Sequence, residues 1–266
     1  MTAGQWIKSP KGYVTVALAA CLLIASIGAF DAKGIINGVV AVAVSVAADI
    51  VCALIGKRKR IMPDGAVITG LINALVLSVT TSLFIVAATC IVSILSKHLL
   101  VAKKKPVFNP AAFGLLLSVP LFHSGQSWWG AFGDLPAWTI ALLLLGGYAV
   151  VNRVNKYPQL FAFIGTFLFL LFMMGCFHVG DAADALRPPF INAALFFAFF
   201  MLTDPPTSPA KTGGQIAFGI LAAVVSAAVY ACFGGLMYLF IGLLAGNLYH
   251  LLKARLSTGK EYRRGA

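Results

Sequence analysis

A group of polar residues opens a short apolar stretch after Pro63. The string Pro63-Asp64-Gly65-Ala66-Val67-Ile68-Thr69-Gly70-Leu71-Ile72-Asn73 puts Asp64 at a predicted helix start, with Thr69 and Asn73 one turn apart on one face. Polar and ionisable groups inside an apolar segment are costly and usually face a cavity or a partner, so all three are candidate site residues. Asp64 is also well placed as a helix N-cap that accepts backbone N–H groups. Both roles for Asp64 stay open at this point.

A second polar break, Thr203-Asp204-Pro205-Pro206-Thr207-Ser208-Pro209, follows an aromatic run that contains four phenylalanines. The two adjacent prolines prevent a helix from continuing, so the chain must be kinked here beside an apolar segment. Such a break exposes hydroxyl groups and backbone groups that a helix would have paired. Asp204, Thr207 and Ser208 are therefore further candidate site residues, although a plain connecting loop would also be rich in proline.

A third polar cluster, Ser96-Lys97-His98, ends an apolar segment, and Phe108-Asn109-Pro110 breaks the chain at the start of the next one. Lys97 and His98 have two possible roles. The first, which we favour, is to extend from the membrane to the aqueous interface. The second is to bind an anionic phosphate or to relay protons, and Asn109 joins the candidate set because it lies at the next break.

Ten apolar segments must position these residues, and the sequence therefore predicts an all-α polytopic membrane protein. Spanning a bilayer takes about twenty helical residues, whereas four of the segments are near fourteen or fifteen residues long and are candidates for half-helices or tilted helices. The segments are residues 13–30, 34–55, 66–79, 82–101, 108–122, 137–151, 159–178, 189–202, 214–232 and 235–252, of which 66–79, 108–122, 137–151 and 189–202 are the short ones.

Basic residues alternate along the chain in a way that sets the membrane topology. Seventeen of the twenty Lys and Arg lie at the N-terminus, in every second connection or at the C-terminus. Short loops rich in Lys and Arg stay on the cytoplasmic side, so both termini are predicted to be cytoplasmic, in the plasma membrane of a prokaryote. The net charge of +12 is thus spread as topology markers and anionic-lipid contacts rather than gathered into a nucleic-acid surface.

The ten segments divide into two sets of five on either side of the outward loop 123–136. An odd number of crossings per half inverts one half relative to the other, so we expect a 5+5 inverted repeat. The single integral membrane domain, residues 1–266, would then consist of repeat 1 (about 13–122), repeat 2 (about 137–252) and a basic cytoplasmic tail (253–266). In each half the third segment is short and borders one of the polar breaks.

Taken together and in this order, the three motifs resemble the membrane B/D subunits of Rnf electron-transport complexes and of the sodium-pumping NADH:quinone reductase. The resemblance implies an architecture related to urea and ammonium transporters, electron transfer coupled to ion movement, and a bound flavin. It implies partner subunits, membrane and peripheral, that oxidise NADH and carry iron–sulfur centres. The residues expected to bind the flavin, FMN or riboflavin, are Asp64, Thr69, Asn73, Lys97, His98, Asn109, Asp204, Thr207 and Ser208.

One feature departs from the family pattern. Members carry FMN attached to a Thr in a Ser-Gly-Ala-Thr type motif, and this chain contains no such string. The expected flavin is therefore non-covalent. Two functions remain open: a membrane subunit of an ion-translocating oxidoreductase, and a stand-alone transporter or channel of the same architecture for a flavin or another small solute. Trp128 and Trp129 in the outward loop are expected to form part of an interfacial aromatic belt.

Overall fold

The computed structural model describes residues 3–58 and 62–264, and about three quarters of this part is helical. Lys59 and Arg60, two of the predicted topology markers, lie outside the described residues. The elements in chain order are α1 (Ala3–Ile7), α2 (Pro10–Gly28), α3 (Lys33–Ile55), α4 (Asp64–Val76), α5 (Leu83–Leu99), β1 (Val101–Ala102), β2 (Lys105–Pro106), α6 (Pro110–Phe122), α7 (Ile140–Val154), α8 (Tyr157–Cys176), α9 (Ala182–Ala185), α10 (Pro188–Phe197), a π-helical turn (Ala198–Leu202), α11 (Thr212–Phe233) and α12 (Tyr238–Arg264).

The predicted apolar segments correspond one to one to long or medium helices in the described part of the chain. They are α2 to α8, α10 with its π-helical turn, α11 and α12. The chain is thus an all-α polytopic membrane protein. Five helical stretches are long and apolar enough to cross a bilayer, namely Pro10–Gly28, Lys33–Ile55, Ala137–Val154, Tyr157–Cys176 and Thr212–Phe233.

Three of the four segments predicted to be short are short in the structure. Helices α4 and α6 have 13 residues each, and α10 with its π-helical turn covers Pro188–Leu202. The prediction for 137–151 was wrong, because the helix continues to Val154 and a 3-10 turn at Ala137–Thr139 precedes it, which gives 18 residues. Arg153 does not end the helix, since a cation in the last turn is favoured there and its guanidinium lies 5.8 Å from the centre of the Tyr13 ring.

Side-chain caps and prolines define the starts of the helices that border the site. Ser9 Oγ accepts a hydrogen bond from the Gly12 N–H at 3.1 Å at the start of α2. Asn109 Oδ1 accepts one from the Ala112 N–H at 3.1 Å at the start of α6. Proline occupies the first turn of both helices, where its missing N–H leaves no intrahelical bond unmade. These caps turn the chain sharply into the bundle at one end.

The connections meet at two ends of the helical bundle. One end, here called the basic end, comprises residues 8–11, 62–65, 103–106, 153–156, 203–211 and 250–255. Its segments touch one another: Lys11 Nζ lies 3.8 Å from Asp64 Oδ2, and Lys156 Nζ donates to Ser208 Oγ at 3.0 Å. At the opposite end, the Ser78 N–H donates to the Gly125 carbonyl at 3.1 Å. The alternating basic connections of the sequence thus lie together at the same end.

The loop 123–136, which was predicted to face outward, folds back into the bundle, so the interfacial-belt prediction for its tryptophans was wrong. Trp128 is 1% exposed and stacks on Phe240 with ring centroids 5.2 Å apart. Trp129 is 9% exposed, and its Nε1–H donates to the Ala74 carbonyl at 2.7 Å. Because α4 is too short to cross the membrane, space remains beyond its C-terminal end, and these indole rings occupy it.

The helices of the two halves pack in a similar order. In the first half α3 packs on α4 and α5, and α5 packs on α6. In the second half α8 packs on α11, and α11 packs on α12. Gly114 of α6 approaches α5 so closely that an added Cβ would lie 2.9 Å from the Thr89 carbonyl oxygen. Gly242 of α12 approaches α11 in the same manner, with 2.5 Å to the Ala222 oxygen.

Candidate functional site

A cavity of about 720 Å³ opens at the basic end. Its wall comes from the starts of α2, α4 and α6, the end of α7, the β1–β2 hairpin and the break after the π-helical turn. Apolar side chains cover most of the wall, among them Val14, Ile68, Ile72, Val150 and Phe200. The polar side chains that line it are Ser9, Lys11, Asp64, Thr69, Lys97, Lys104, Lys105, Asn109, Thr203 and Asp204.

Charge in this cavity is unevenly distributed, with four lysines against two carboxylates. Asp64 is partly neutralised by Lys11, whose Nζ lies 3.8 Å from Asp64 Oδ2. Lys104 and Lys105 come from the hairpin and are both exposed. An anionic group that entered the cavity would therefore meet a positive mouth and an apolar interior, which is the arrangement that binds an amphipathic anion.

Lys97 reaches the cavity from a charged cluster between α3 and α5. Its Nζ donates to Asp49 Oδ1 at 2.7 Å, and His98 Nε2 lies 2.7 Å from the same oxygen. The side chains are largely buried, with 6% exposure for Asp49, 19% for Lys97 and 9% for His98. Asp49 thus fixes the position of the Lys97 ammonium beside the start of α4, where an added Cβ on Gly65 would lie 3.5 Å from Nζ.

The break after the π-helical turn forms the floor of the cavity, and side chains from other helices pair its carbonyl groups. Gln159 Nε2 donates to the Leu202 carbonyl at 2.7 Å, and Asn109 Nδ2 donates to the Met201 carbonyl at 3.3 Å. Asn247 Nδ2 donates to the Thr207 carbonyl at 3.0 Å. Non-helical backbone at membrane depth is tolerated only when protein groups satisfy it, and here they do.

Asp204 lies in this break and Lys156 lies beside it, in the connection between α7 and α8, and both charged side chains are surrounded by protein. Both belong to connections outside the helical segments. Burial raises the pKa of Asp204 to about 6, although the Thr207 hydroxyl, which donates to Asp204 Oδ2 at 3.0 Å, and the charge of Lys156 act in the opposite sense. Burial lowers the pKa of Lys156 to about 8 against the pull of Asp204. Lys156 is 3% exposed and donates to Ser208 Oγ and to the Pro209 carbonyl.

A family model described as the NQR2, RnfD, RnfE family matches residues 2–135 and 122–239. The chain belongs to this family. Membership makes it a membrane subunit of a multisubunit complex of the Rnf or Nqr type, in which electron transport and ion transport are linked. No curated protein matches the chain closely enough to be counted as a relative.

The structure of this NQR2/RnfD/RnfE family member brings five of the nine predicted site residues into one cavity. Asp64, Thr69, Lys97, Asn109 and Asp204 all line it. They come from four separate stretches of the chain, so their association depends on the tertiary fold. Whether they bind a ligand stays a prediction.

The other four predicted residues lie outside this cavity wall. Asn73 is fully buried and points to α5, where its Nδ2 donates to Ser93 Oγ at 3.0 Å. His98 contacts Asp49, behind Lys97. Thr207 and Ser208 lie behind Asp204; the Ser208 hydroxyl donates to the Asp204 carbonyl at 2.7 Å.

Three expectations about individual residues were wrong. Pro63 occupies the N-cap position of α4 and Asp64 is the first helical residue, which pairs with Lys11 rather than capping the helix. Lys97 and His98 do not extend to the interface, because the Asp49 carboxylate holds them among the helices.

Sequence reasoning missed Lys156, Gln159 and Asn247 as parts of the site. Lys156 was counted only as a topology marker, and the two amides lie singly within or beside apolar segments. Asn247 also accepts a hydrogen bond from the Asn109 N–H at 3.0 Å, so it joins the second and third motifs. A buried Gln or Asn inside an apolar segment was the available signal, because such a group needs a partner.

Proposed function

We propose that this family member binds a flavin non-covalently in the cavity at the basic end and thereby takes part in electron transfer through an ion-translocating membrane complex. The observation that carries the proposal is the combination of a 720 Å³ apolar cavity with a lysine-rich mouth. Cofactor cavities are typically about 300–1,000 Å³ and apolar, with a few fixed polar groups. Those features match a flat isoalloxazine ring with a phosphorylated side chain.

The residues present fit such a group. Phe200, Val150 and Ile72 offer an apolar wall for a ring system, and Thr69 and Asn109 offer polar atoms near it. The lysines at the mouth suit a phosphate, which favours FMN over riboflavin. When bound, the flavin would supply one- and two-electron redox chemistry, while the protein would bind it, orient it and limit its access to water.

We further propose that the chain is a 5+5 inverted repeat whose basic end faces the cytoplasm. The matching packing order of the two halves and the equivalent close approaches of Gly114 and Gly242 support the repeat. Lysine and arginine at the basic end support the orientation, because short basic loops are retained in the cytoplasm. Reporters fused to the C-terminus test this orientation. We expect a reporter that works only in the cytoplasm to be active, and one that works only outside the cytoplasm to be inactive.

The first test of flavin binding is the visible absorbance and flavin fluorescence of the purified chain, before and after denaturation. We expect a flavin that is released on denaturation and that dithionite reduces while it is bound. A released flavin that cannot be reduced in place would favour the stand-alone transporter. Absence of flavin, together with failure to take up added FMN, would refute the proposal.

The second test uses two neighbouring lysines of the hairpin. Lys104 lines this cavity and Lys103 does not. Lys104→Gln should weaken FMN binding roughly two- to fivefold, as expected for an exposed charge pair, and should leave riboflavin binding unchanged. Lys103→Gln removes the same charge from the same turn and serves as the matched control. Equal effects of both variants on FMN would contradict a specific phosphate contact.

A further inference from the structure

A second cavity of about 350 Å³ lies on the other side of the β1–β2 hairpin, between the hairpin, the 203–209 break and the C-terminal part of α12. Four of its lining residues are basic or can become so: Lys103, Lys105, His250 and Arg255. Among the residues that the structure describes, no Asp or Glu lines it. This composition differs from that of the first cavity, where Asp64 and Asp204 balance part of the lysine charge.

The hairpin that separates the two cavities is held in a costly conformation. Val101 pairs with Pro106 and Ala102 with Lys105, so the turn consists of two residues, Lys103 and Lys104. Both have positive φ, 48° and 65°, in the positions where such turns strongly prefer Asn and Gly. Backbone strain of this kind persists where the surrounding structure and function require it. Here the turn directs Lys104 to the first cavity and Lys103 to the second.

The remaining wall of the second cavity combines apolar and uncharged polar groups. Val107, Leu251 and Ala254 provide apolar surface next to the basic residues. Thr207 and Asn247 are also part of the wall, and their hydrogen bond fixes the break to α12. A group that binds here would thus touch the same break that forms the floor of the first cavity.

We propose that the second cavity binds a phosphate group at the membrane surface, held by Lys103, Lys105 and Arg255. Lysine and arginine donate charge-assisted hydrogen bonds to phosphate oxygens, and several basic side chains around one cavity are the usual way to hold this group. The phosphate belongs either to an anionic lipid headgroup or to a free phosphate compound. This proposal does not depend on flavin binding in the first cavity.

The test measures binding to the full-length chain in neutral detergent by its thermal unfolding midpoint. The probes are phosphatidylglycerol, phosphatidylcholine with the same acyl chains, and inorganic phosphate. We expect phosphatidylglycerol to raise the midpoint and phosphatidylcholine to have no effect. The double variant Lys103→Gln with Arg255→Gln should bind phosphatidylglycerol about thirtyfold more weakly, since each basic residue near an anionic surface contributes about fivefold.

The matched control is Lys104→Gln with Lys253→Gln, which removes equal charge from the same turn and the same helix. Neither Lys104 nor Lys253 lines the second cavity. Full binding in this control, with loss in the first variant, supports the site. Inorganic phosphate would identify a free phosphate compound as the source if it raises the unfolding midpoint by itself and if phosphatidylglycerol, added in its presence, raises the midpoint no further.

Equal weakening in both double variants would show a general surface-charge effect and overturn the proposal. No response to phosphatidylglycerol or to phosphate in the wild-type chain would overturn it as well. If Lys103→Gln with Arg255→Gln does not fold, the variants Lys103→Arg and Lys103→Gln decide the question. The first should retain binding because it keeps the charge, and equal binding by both would count against the site.

Discussion

Replacing Asp204 by Asn should remove a measurable part of the pH dependence of stability. Burial raises the pKa of Asp204 to about 6 in the folded protein, from an ordinary value of 3.8. A folded-state pKa above the unfolded value gives stability that is full below pH 3.8 and is lost as the pH rises through 6. Between pH 5 and pH 7 this one group should lower the free energy of unfolding by about 1 kcal/mol.

Lys156, the charged residue beside this break, titrates mainly above this pH interval in the wild type. Lys156 has its pKa lowered to about 8, so its stability contribution is present at high pH and is lost as the pH falls through 8. Between pH 5 and 7 Lys156 is charged in both the folded and the unfolded chain, and its contribution is nearly constant. The difference between wild type and Asp204→Asn over this interval thus reports the carboxyl group together with its charge interaction with Lys156.

The assay is denaturant unfolding in neutral detergent, followed by tryptophan fluorescence at pH 5, 6 and 7. Asp204→Asn should keep more of its stability at pH 7 than the wild type, by about 1 kcal/mol relative to pH 5. Asp134→Asn, which removes an exposed carboxylate at the opposite end, is the control and should follow the wild type. Identical pH dependence in wild type and Asp204→Asn would refute the burial argument.

Three further perturbations test the site and the packing. Asn247→Ala leaves the Asn109 N–H and the Thr207 carbonyl without partners and should destabilise the chain by about 2–4 kcal/mol in the same unfolding assay. The control variant Lys253→Ala, on the same helix, should have little effect on stability. Equal losses of stability in the two variants would contradict the role of Asn247. Gly242→Ala forces a Cβ against the Ala222 carbonyl and should cost about 1–3 kcal/mol, whereas Gly165→Ala, with no atom within 4 Å, should cost nothing. Asp64→Asn should abolish electron-transfer activity of the assembled complex while membrane insertion, measured by fractionation, is retained; unchanged turnover would exclude Asp64 from the site.

Much of the fold can be predicted from local sequence, because the lengths of the apolar segments and the positions of the basic residues between them can be read along the chain. These patterns predict the ten helical segments and the two polar breaks that border α4 and α10. The end of the α7 segment was placed at residue 151, whereas the helix continues to Val154, and a cation such as Arg153 is favourable in a last helical turn. The π-helical turn at Ala198–Leu202 has no residue signature of its own, since its five residues are all apolar.

The site was less predictable because its partners are distant in sequence. The pair Asn109 and Asn247 is separated by 138 positions, and Lys156 and Ser208 by 52. The β1–β2 hairpin gave no signal either, since Lys-Lys is an unusual choice for a turn with two positive φ angles. Motifs identified which residues are costly inside a membrane, but only the fold shows which partner offsets each cost.

The chain leaves a helix after α4, at residues 77–82, and again after the π-helical turn, at residues 203–209, and it solves the same physical problem in a related way at both breaks, which supports the proposed repeat. After α4 the backbone leaves the helix, and Asn37 Nδ2 from α3 donates to the Val79 carbonyl at 3.1 Å. After the π-helical turn, Gln159 Nε2 from α8 donates to the Leu202 carbonyl at 2.7 Å. In each case a side-chain amide from the second long helix of its half satisfies the first exposed carbonyls.

These two breaks lie at opposite ends of the bundle, as an inverted repeat requires. The break at residues 77–82 is covered by the outward loop, whose Trp128 and Trp129 are buried in the space beyond α4. The break at 203–209 is instead adjoined by two cavities, because the short β1–β2 hairpin covers less of it. The asymmetry between a filled break and an open one accounts for the position of the candidate site at the basic end.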